Sequence, residues 1–452
     1  MNTAERNIPF NMENRIPPGS GGQAGPRILL ILTEFPPKIG GMQTHAYYLA
    51  MTLYSRGYAI RVVTYVPEDD EEESAVREHD SALPFAVSRV LSRIGFWKNL
   101  SRLDRMGKEF APDIVYSSTV FYGYLGPMLG VPVVSRSVGN DVLRPWIVYP
   151  FRLGCGVLSN PWIERRLYNF FKGLKGPDWV DRIFRRTRRR IMTESVMKIS
   201  RIFANSEFTA NLLYGIGVPR ERINMVVGGV DSAVFDPAGM TGKGLRRSLG
   251  LPEDGFVILT ACRLVEKKGI DFLLSSMPEV LEKIPSATLL IVGDGPLAER
   301  YRALSESLGL CGRVIFTGRV PHGSIRSYYW CSDVFVLASR ERVHPRLGVR
   351  DAETMGRVLC EANAAGLPVL ASRSGGINSV IVAGENGLLF ETGNSDDFIG
   401  KLVRLKRDRS LAGRISRAGL RAARERFDWS VVIGAHERVF EELAAAKNTE
   451  RL

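Results

Sequence analysis

A chain of 452 residues with 45% hydrophobic and 24% charged side chains has an ordinary globular composition and room for two to three domains. No apolar run is long enough to span a membrane, and the first residues lack the apolar stretch of a secretory signal. The formal net charge of +13 points to anionic ligands or surfaces without choosing among them.

The five cysteines, Cys155, Cys262, Cys311, Cys331 and Cys360, are scattered, odd in number and lack CxxC spacing. They argue against a disulfide framework or a zinc site and for a reducing, cytoplasmic setting.

Residues 1–25, rich in Pro, Gly and Asn, read as a disordered leader. The run RILLILT (27–33) then reads as a buried strand and AYYLAMTLYSRG (46–57) as an amphipathic helix stopped at Gly57. AIRVVTYV (59–66) closes a strand–helix–strand unit. Gly40 and Gly41 lie near the start of that helix, where a side-chain-free backbone and a helix end together suit a phosphate. The G-x-G-x-x-G spacing of dinucleotide folds is missing there, which lowers an NAD or FAD reading. The acidic stretch 67–80 reads as a surface loop or helix start. Two five-residue runs, 113–117 and 131–135, read as further strands, and Ser137-Val138-Gly139-Asn140-Asp141 lies at the carboxyl end of the second.

The stretch 144–190 carries twelve Arg and Lys against Glu164, Asp178 and Asp181, with aromatic residues interleaved from Trp146 to Phe184. Such a segment suits an anionic membrane surface, an anionic acceptor, or a helical hairpin with buried rings and a solvated basic face; nucleic acid is not expected. After it, RIFANSEFTANLLYGIG (201–217) reads as strand, cap and helix, with Asn205, Ser206 and Glu207 at the cap. Asp236-Pro237 marks a break into a Gly-rich linker.

The second half repeats the alternation. FVILTA (256–261) reads as a strand whose following loop carries Arg263 and Lys268, two cations placed for a diphosphate. A second strand runs into the glycine turn Gly293-Asp294-Gly295-Pro296, a third is RVIFTGRV (313–320), and a fourth is VFVLAS (334–339). Beyond it, Glu353 and Glu361 are separated by seven residues, and the helix that holds Glu361 ends at Gly366 before the strand PVLAS. Ionised carboxylates at the carboxyl end of a strand suit polyol hydroxyls. The expected fold is α/β, two doubly wound Rossmann-like domains facing across a cleft. Cations for a diphosphate and carboxylates for polyol hydroxyls, all in the second half, together describe a nucleotide diphosphate-sugar, and no Asp-x-Asp motif is present there to hold a metal.

With GGMQTH (40–45), CRLVEKKGID (262–271), VGDGP (292–296), the spaced glutamates and AAGLPVLAS in order, the chain resembles the GT-B glycosyltransferases of family 4, the glycosyl transferases group 1. The resemblance implies domains at 26–237 and 238–427, with the basic aromatic stretch inserted in the first, and a terminal helix over 428–452 crossing back to it. It implies a retaining, metal-independent transferase without a cofactor, using a UDP-, GDP- or ADP-sugar and a glycan or lipid-linked acceptor. On this resemblance Glu353, Arg263, Lys268 and His45 are the catalytic candidates, His45 on the acceptor side or in a structural first-turn role. Gly40, Gly41, Gly293, Arg319, Val320, Met355, Gly356, Arg357, Val358 and Glu361 join Arg263, Lys268 and Glu353 around the donor, with Glu361 on the ribose. Asn140 and Asp141 fall on the acceptor side, and localisation is expected to be cytoplasmic, peripheral on the inner face of the plasma membrane.

The chain departs from the pattern at Val138 in place of a His, at Thr354-Met355-Gly356 and at Asn378-Ser379. Two alternatives stand beside the transferase: a non-catalytic sugar-nucleotide-binding protein, suggested by Val138 and Asn378-Ser379, and a sugar-nucleotide epimerase of the same architecture.

Overall fold

Strands made of unbroken Val, Ile and Leu have no face to give to water, so they must be covered on both sides by the helices that connect them. The computed structural model builds them that way twice. It describes residues 25–38, 40–67, 70–93, 95–143, 166, 178–238, 242–343 and 350–449. Among the described residues two compact units emerge: one holds the chain from Gly25 to Val226 together with Ile433 onward, the other holds Val227–Val432.

The first unit is a seven-stranded parallel sheet. Its strands are β1 (Gly25–Ile31), β2 (Tyr58–Tyr65), β3 (Val87–Leu91), β4 (Ile114–Ser117), β5 (Val133–Ser137), β6 (Arg201–Ala204) and β7 (Ile223–Met225), in the order β3-β2-β1-β4-β5-β6-β7. Leu29, Leu30 and Ile31 of β1, an interior strand, have no exposed surface. The acidic stretch after β2 is a helix, Asp70–Ser81. The helix Glu207–Tyr214 is capped by Ser206, whose hydroxyl accepts from the Thr209 amide at 3.1 Å. The last part of the basic stretch is the helix Asp178–Val196. It buries Ile191, Met192 and Val196, and its Ser195 hydroxyl bonds the Gly123 amide at 2.9 Å and the Val120 carbonyl at 2.7 Å. Arg182, Arg186, Arg189 and Arg190 are exposed on it, whereas Arg188 is buried. Apart from Arg166, the preceding residues 144–177 lie outside the described residues, and with them most of the aromatic pattern.

The second unit is a six-stranded parallel sheet. It comprises β8 (Phe256–Ala261), β9 (Ala287–Val292), β10 (Val314–Gly318), β11 (Val334–Leu337), β14 (Val369–Ser372) and β15 (Leu388–Phe390), ordered β10-β9-β8-β11-β14-β15. A separate two-stranded ribbon, β12 (Arg342–Val343) and β13 (Arg350–Asp351), flanks the undescribed residues 344–349. The unit begins earlier than Asp236-Pro237 because Gly229 and Val230 hydrogen-bond the Phe427 carbonyl at 2.8 and 3.0 Å, and Trp429 returns a bond to Val230 at 3.1 Å. The terminal helix Trp429–Thr449 joins the first unit from Ile433, where Glu437 pairs with Arg56, Tyr58 bonds Glu441 and Arg201 pairs with Glu442. Among the described residues no helix is long and apolar enough to cross a membrane, and Cys262, Cys311, Cys331 and Cys360 are free thiols.

Candidate functional site

In the six-stranded sheet the chain leaves β8 toward β9 and β10 on one side, then returns to build β11, β14 and β15 on the other. Loops following β8 and β11 therefore diverge, and the crevice outside their carboxyl ends is where open α/β sheets hold ligands. The sequence puts its chemistry there. The loop after β8 carries Cys262, Arg263 and Lys268, and the loop after β11 leads to Glu353.

Glu353 and Lys268 form an ion pair, each side chain only 13% exposed. The Ser339 hydroxyl lies 3.5 Å from the same carboxylate oxygen. Burial alone would raise the Glu353 carboxyl, but the Lys268 charge and hydrogen bond, with Lys267 and Ser339 behind them, hold it below its ordinary range. Burial likewise opposes the Lys268 charge, and Glu353 outweighs it, so the ammonium titrates above its ordinary value. Beside them burial pushes the Cys262 thiol up to about 11, which keeps it protonated at neutral pH. Lys267 ties the loops together, reaching Asp351 at 3.0 Å and the Ala352 carbonyl at 3.1 Å.

Backbone contact fixes the frame. Gly293, at φ +131°, lies so close to Cys262 that a Cβ there would overlap the Cys262 carbonyl oxygen. Gly375, at φ +53°, stands in the same relation to the carbonyl of Glu353, and the Gly376 amide donates to that carbonyl at 2.8 Å. The glycines of the Gly-Gly pair thus hold Glu353 from behind.

Glu361 lies on the helix Arg357–Ala364 and is 6% exposed. Its carboxylate accepts from the Tyr329 hydroxyl at 2.8 Å, and Arg357 approaches its other oxygen at 3.4 Å. Tyr329 is a partner that the sequence did not single out; YYW (328–330) looks like any half-apolar helix, and only the packing brings its hydroxyl to Glu361. Burial, then the Glu361 charge, pushes that hydroxyl far above its ordinary value, so it stays a donor. Met355 is buried and Gly356 takes a left-handed conformation, φ +86°, at the helix start. Val358 and Val320 pack against the core that contains Tyr329 and Leu359. The Gly293 amide donates to Gly318 at 3.0 Å, which sets the glycine turn beside Arg319 and Val320. Arg319 and Arg263 are exposed, and the Arg263 side chain has no hydrogen bond or ion pair among the described residues, leaving its guanidinium open to an anion.

In the seven-stranded unit Gly40 and Gly41 begin the helix Gly41–Ser55 beyond β1, and the space where a Gly41 side chain would stand is open. His45 is 3% exposed, with Nε2 3.2 Å from the Tyr116 hydroxyl and its ring packed against His436. Asp141 is also interior, at 5% exposed. It accepts from the Ser137 hydroxyl at 2.7 Å and the Val120 amide at 3.2 Å, and the buried Arg188 donates to its backbone carbonyl. These positions suit bracing of the loops after β4 and β5 more than direct contact with a reactant. Asn140 is half-buried at the start of the short helix Asn140–Leu143.

The paired charges carry a signature in pH. A depressed carboxyl stabilises the fold fully above its ordinary value of 4.5 and loses that contribution only as pH falls through the lower folded value. The difference in unfolding free energy between the wild type and Glu353→Gln should therefore be flat from about pH 5 to neutrality and shrink in acid, measured by urea denaturation across that range.

Comparison with known sequences identifies the family. Residues 243–422 match the family described as Glycosyl transferases group 1, and residues 39–234 match Glycosyltransferase Family 4. The chain is 25% identical to a GDP-mannose-dependent alpha-(1-6)-phosphatidylinositol monomannoside mannosyltransferase of Mycolicibacterium smegmatis, over 89% of this chain and 95% of that one. It is 31% identical to a D-inositol 3-phosphate glycosyltransferase of Acidothermus cellulolyticus, over 58% of each chain. Among solved structures it resembles Anabaena HepE in complex with UDP, with a TM-score of 0.69, 19% identity, and coverage of 92% of this chain and 100% of that one. Two parallel Rossmann-like sheets, the ordered motifs and both family matches make the chain a GT-B glycosyltransferase of family 4.

Proposed function

We propose that the protein is a retaining, metal-independent transferase that moves a hexose from a nucleotide diphosphate-sugar to a lipid-linked or inositol-type polyol acceptor. The observation that carries this reading is the buried Lys268–Glu353 pair at the switch point, with the open Arg263 on the same loop and Glu361 in the adjoining helix. Lys268 and Arg263 take the diphosphate and stabilise the charge that grows on it as the sugar departs. Glu353, ionised and already held by Lys268, is a weak base, so its part is to accept hydrogen bonds from sugar hydroxyls. Glu361, with Tyr329, takes the ribose hydroxyls.

In the step itself the bond from the anomeric carbon to the diphosphate oxygen breaks. The acceptor oxygen bonds to that carbon from the same face, and its proton passes to the departing phosphate oxygen. Such front-face transfer retains configuration and asks no side chain to act as nucleophile. The mannosyltransferase relative makes GDP-mannose the first donor to test, followed by UDP- and ADP-sugars.

The test is nucleotide release from a panel of donors, in EDTA, with and without phosphatidylinositol-type and simple inositol acceptors. One donor is expected to turn over, accelerated by acceptor. Glu361→Ala is expected to weaken binding of that nucleotide by about 10–100-fold, the loss of charge-assisted bonds to two hydroxyls. Release that EDTA abolishes would remove the metal-independent mechanism, and a product of inverted configuration would remove the retaining one.

A further inference from the structure

Arg357 stands where helix electrostatics disfavour it. It is the first residue of the helix Arg357–Ala364, whose end has no side-chain cap and presents unpaired backbone amides. A cation in a first turn faces the positive end of the helix dipole. The side chain is nonetheless drawn in, 19% exposed, with Nε 3.4 Å from Glu361. Its Nη1 is buried and makes no hydrogen bond among the described residues. Tyr329 holds the other Glu361 oxygen at 2.8 Å, so in this structure both oxygens of that carboxylate are engaged by the chain's own groups.

Each oxygen keeps a second lone pair, but Glu361 is only 6% exposed, so a ribose gains room at it when a neighbouring group turns aside. Tyr329 is fixed by a ring stacked on Phe335 and an edge contact with Phe235, and it has no exposed surface. Arg357 is the member that can turn, because it has a long side chain, partial exposure and an unused donor. The amide-rich helix start beside it is where an anionic group settles.

We propose that Arg357 exchanges one anion for another. The ribose hydroxyls take the Glu361 oxygen that Arg357 holds, and the released guanidinium turns onto the diphosphate. This rests on the donor-site reading above and adds a specificity to it. A nucleoside without phosphates breaks the Arg357–Glu361 pair and gives Arg357 nothing in return, whereas a nucleoside diphosphate supplies the replacement. Arg357 thereby widens the gap in affinity between nucleoside diphosphate and nucleoside.

The experiment titrates GDP and guanosine, and UDP and uridine, into wild type, Arg357→Gln and Arg357→Lys, with thermal melts confirming that each is folded. Gln keeps a neutral donor within reach of Glu361 and removes the charge; Lys keeps the charge and loses the planar fork. In Arg357→Gln, diphosphate affinity is expected to fall about tenfold or more while nucleoside affinity holds or rises, so their ratio contracts by at least that factor. Arg357→Lys should recover part of the ratio. Equal losses for diphosphate and nucleoside would show that Arg357 only props Glu361, and would overturn the proposal, as would an unchanged ratio in Arg357→Gln. A wild type that binds neither of these diphosphates, nor ADP, would remove the donor-site reading, and this inference with it.

Discussion

Lys268→Ala lowers kcat/KM by about 10²–10³, the loss typical when one preorganised donor to a developing anion is removed. The effect on stability is separate and also large. Lys268 is the cation that keeps the Glu353 carboxyl depressed, and both side chains are largely buried. Removing one partner of a buried pair leaves the other charge uncompensated, at about 3–5 kcal/mol. The remaining carboxyl then protonates more readily, so Lys268→Ala should gain an acid-side dependence of stability extending to higher pH than in the wild type. The double variant Lys268→Ala/Glu353→Ala should be more stable than Lys268→Ala, since it carries no orphaned charge, while remaining as inactive. Urea denaturation and steady-state kinetics on the two singles and the double give the coupling directly. Additive stability losses would contradict the pair.

Gly375→Ala is expected to lower turnover without changing any side chain that meets the substrate. The residue is at φ +53°, and an added Cβ would overlap the carbonyl oxygen of Glu353. The left-handed conformation costs a non-glycine residue about 1–2 kcal/mol, and the overlap adds a displacement of the Glu353 backbone. A shift of the order of 1 Å in a positioned group lowers turnover about 10²-fold, so kcat should fall by that factor. Affinity for the free nucleotide should change little, because Glu361 and Tyr329 are held by other contacts. Gly384→Ala separates the causes. Gly384 has φ +84° but open space where its side chain would stand, so it should show the conformational cost alone and wild-type kcat. Equal kcat in the two variants would remove the positioning role of the Gly375-Gly376 pair.

The sheets were legible because β1, β8, β9, β11 and β14 each contain at least three consecutive apolar residues, and burial on both faces leaves that mark in a sequence. The three-residue β7, Ile-Asn-Met, carries no such run, and β15, Leu-Leu-Phe, is too short to stand out alone; both emerge from pairing with β6 and β14. The unit boundary at Val227 was not marked by composition, because it depends on Gly229 and Val230 meeting Phe427 across two hundred residues of chain. At the site, the charged residues that face the crevice were visible as types in loops after strands. The depth of each residue was not. His45 and Asp141 sit beside motif glycines in the sequence, yet one bonds Tyr116 and the other Val120 and Ser137 in the interior. Arg188 is buried within a run of exposed arginines because its helix turns that one position toward Asp141 and Phe121. Tyr329 shows the same limit from the other side, since its role is set by the partner it meets and not by its neighbours in the chain.

The central claim is that the crevice outside β8 and β11 holds the nucleotide diphosphate-sugar. It is tested most directly by equilibrium titration of the nucleoside diphosphate released in the donor panel into wild type, Lys268→Ala and Glu361→Ala. Each variant is expected to bind at least about tenfold more weakly, Lys268→Ala through the phosphates and Glu361→Ala through the ribose. Wild-type affinity in both folded variants would place the nucleotide elsewhere and contradict the account.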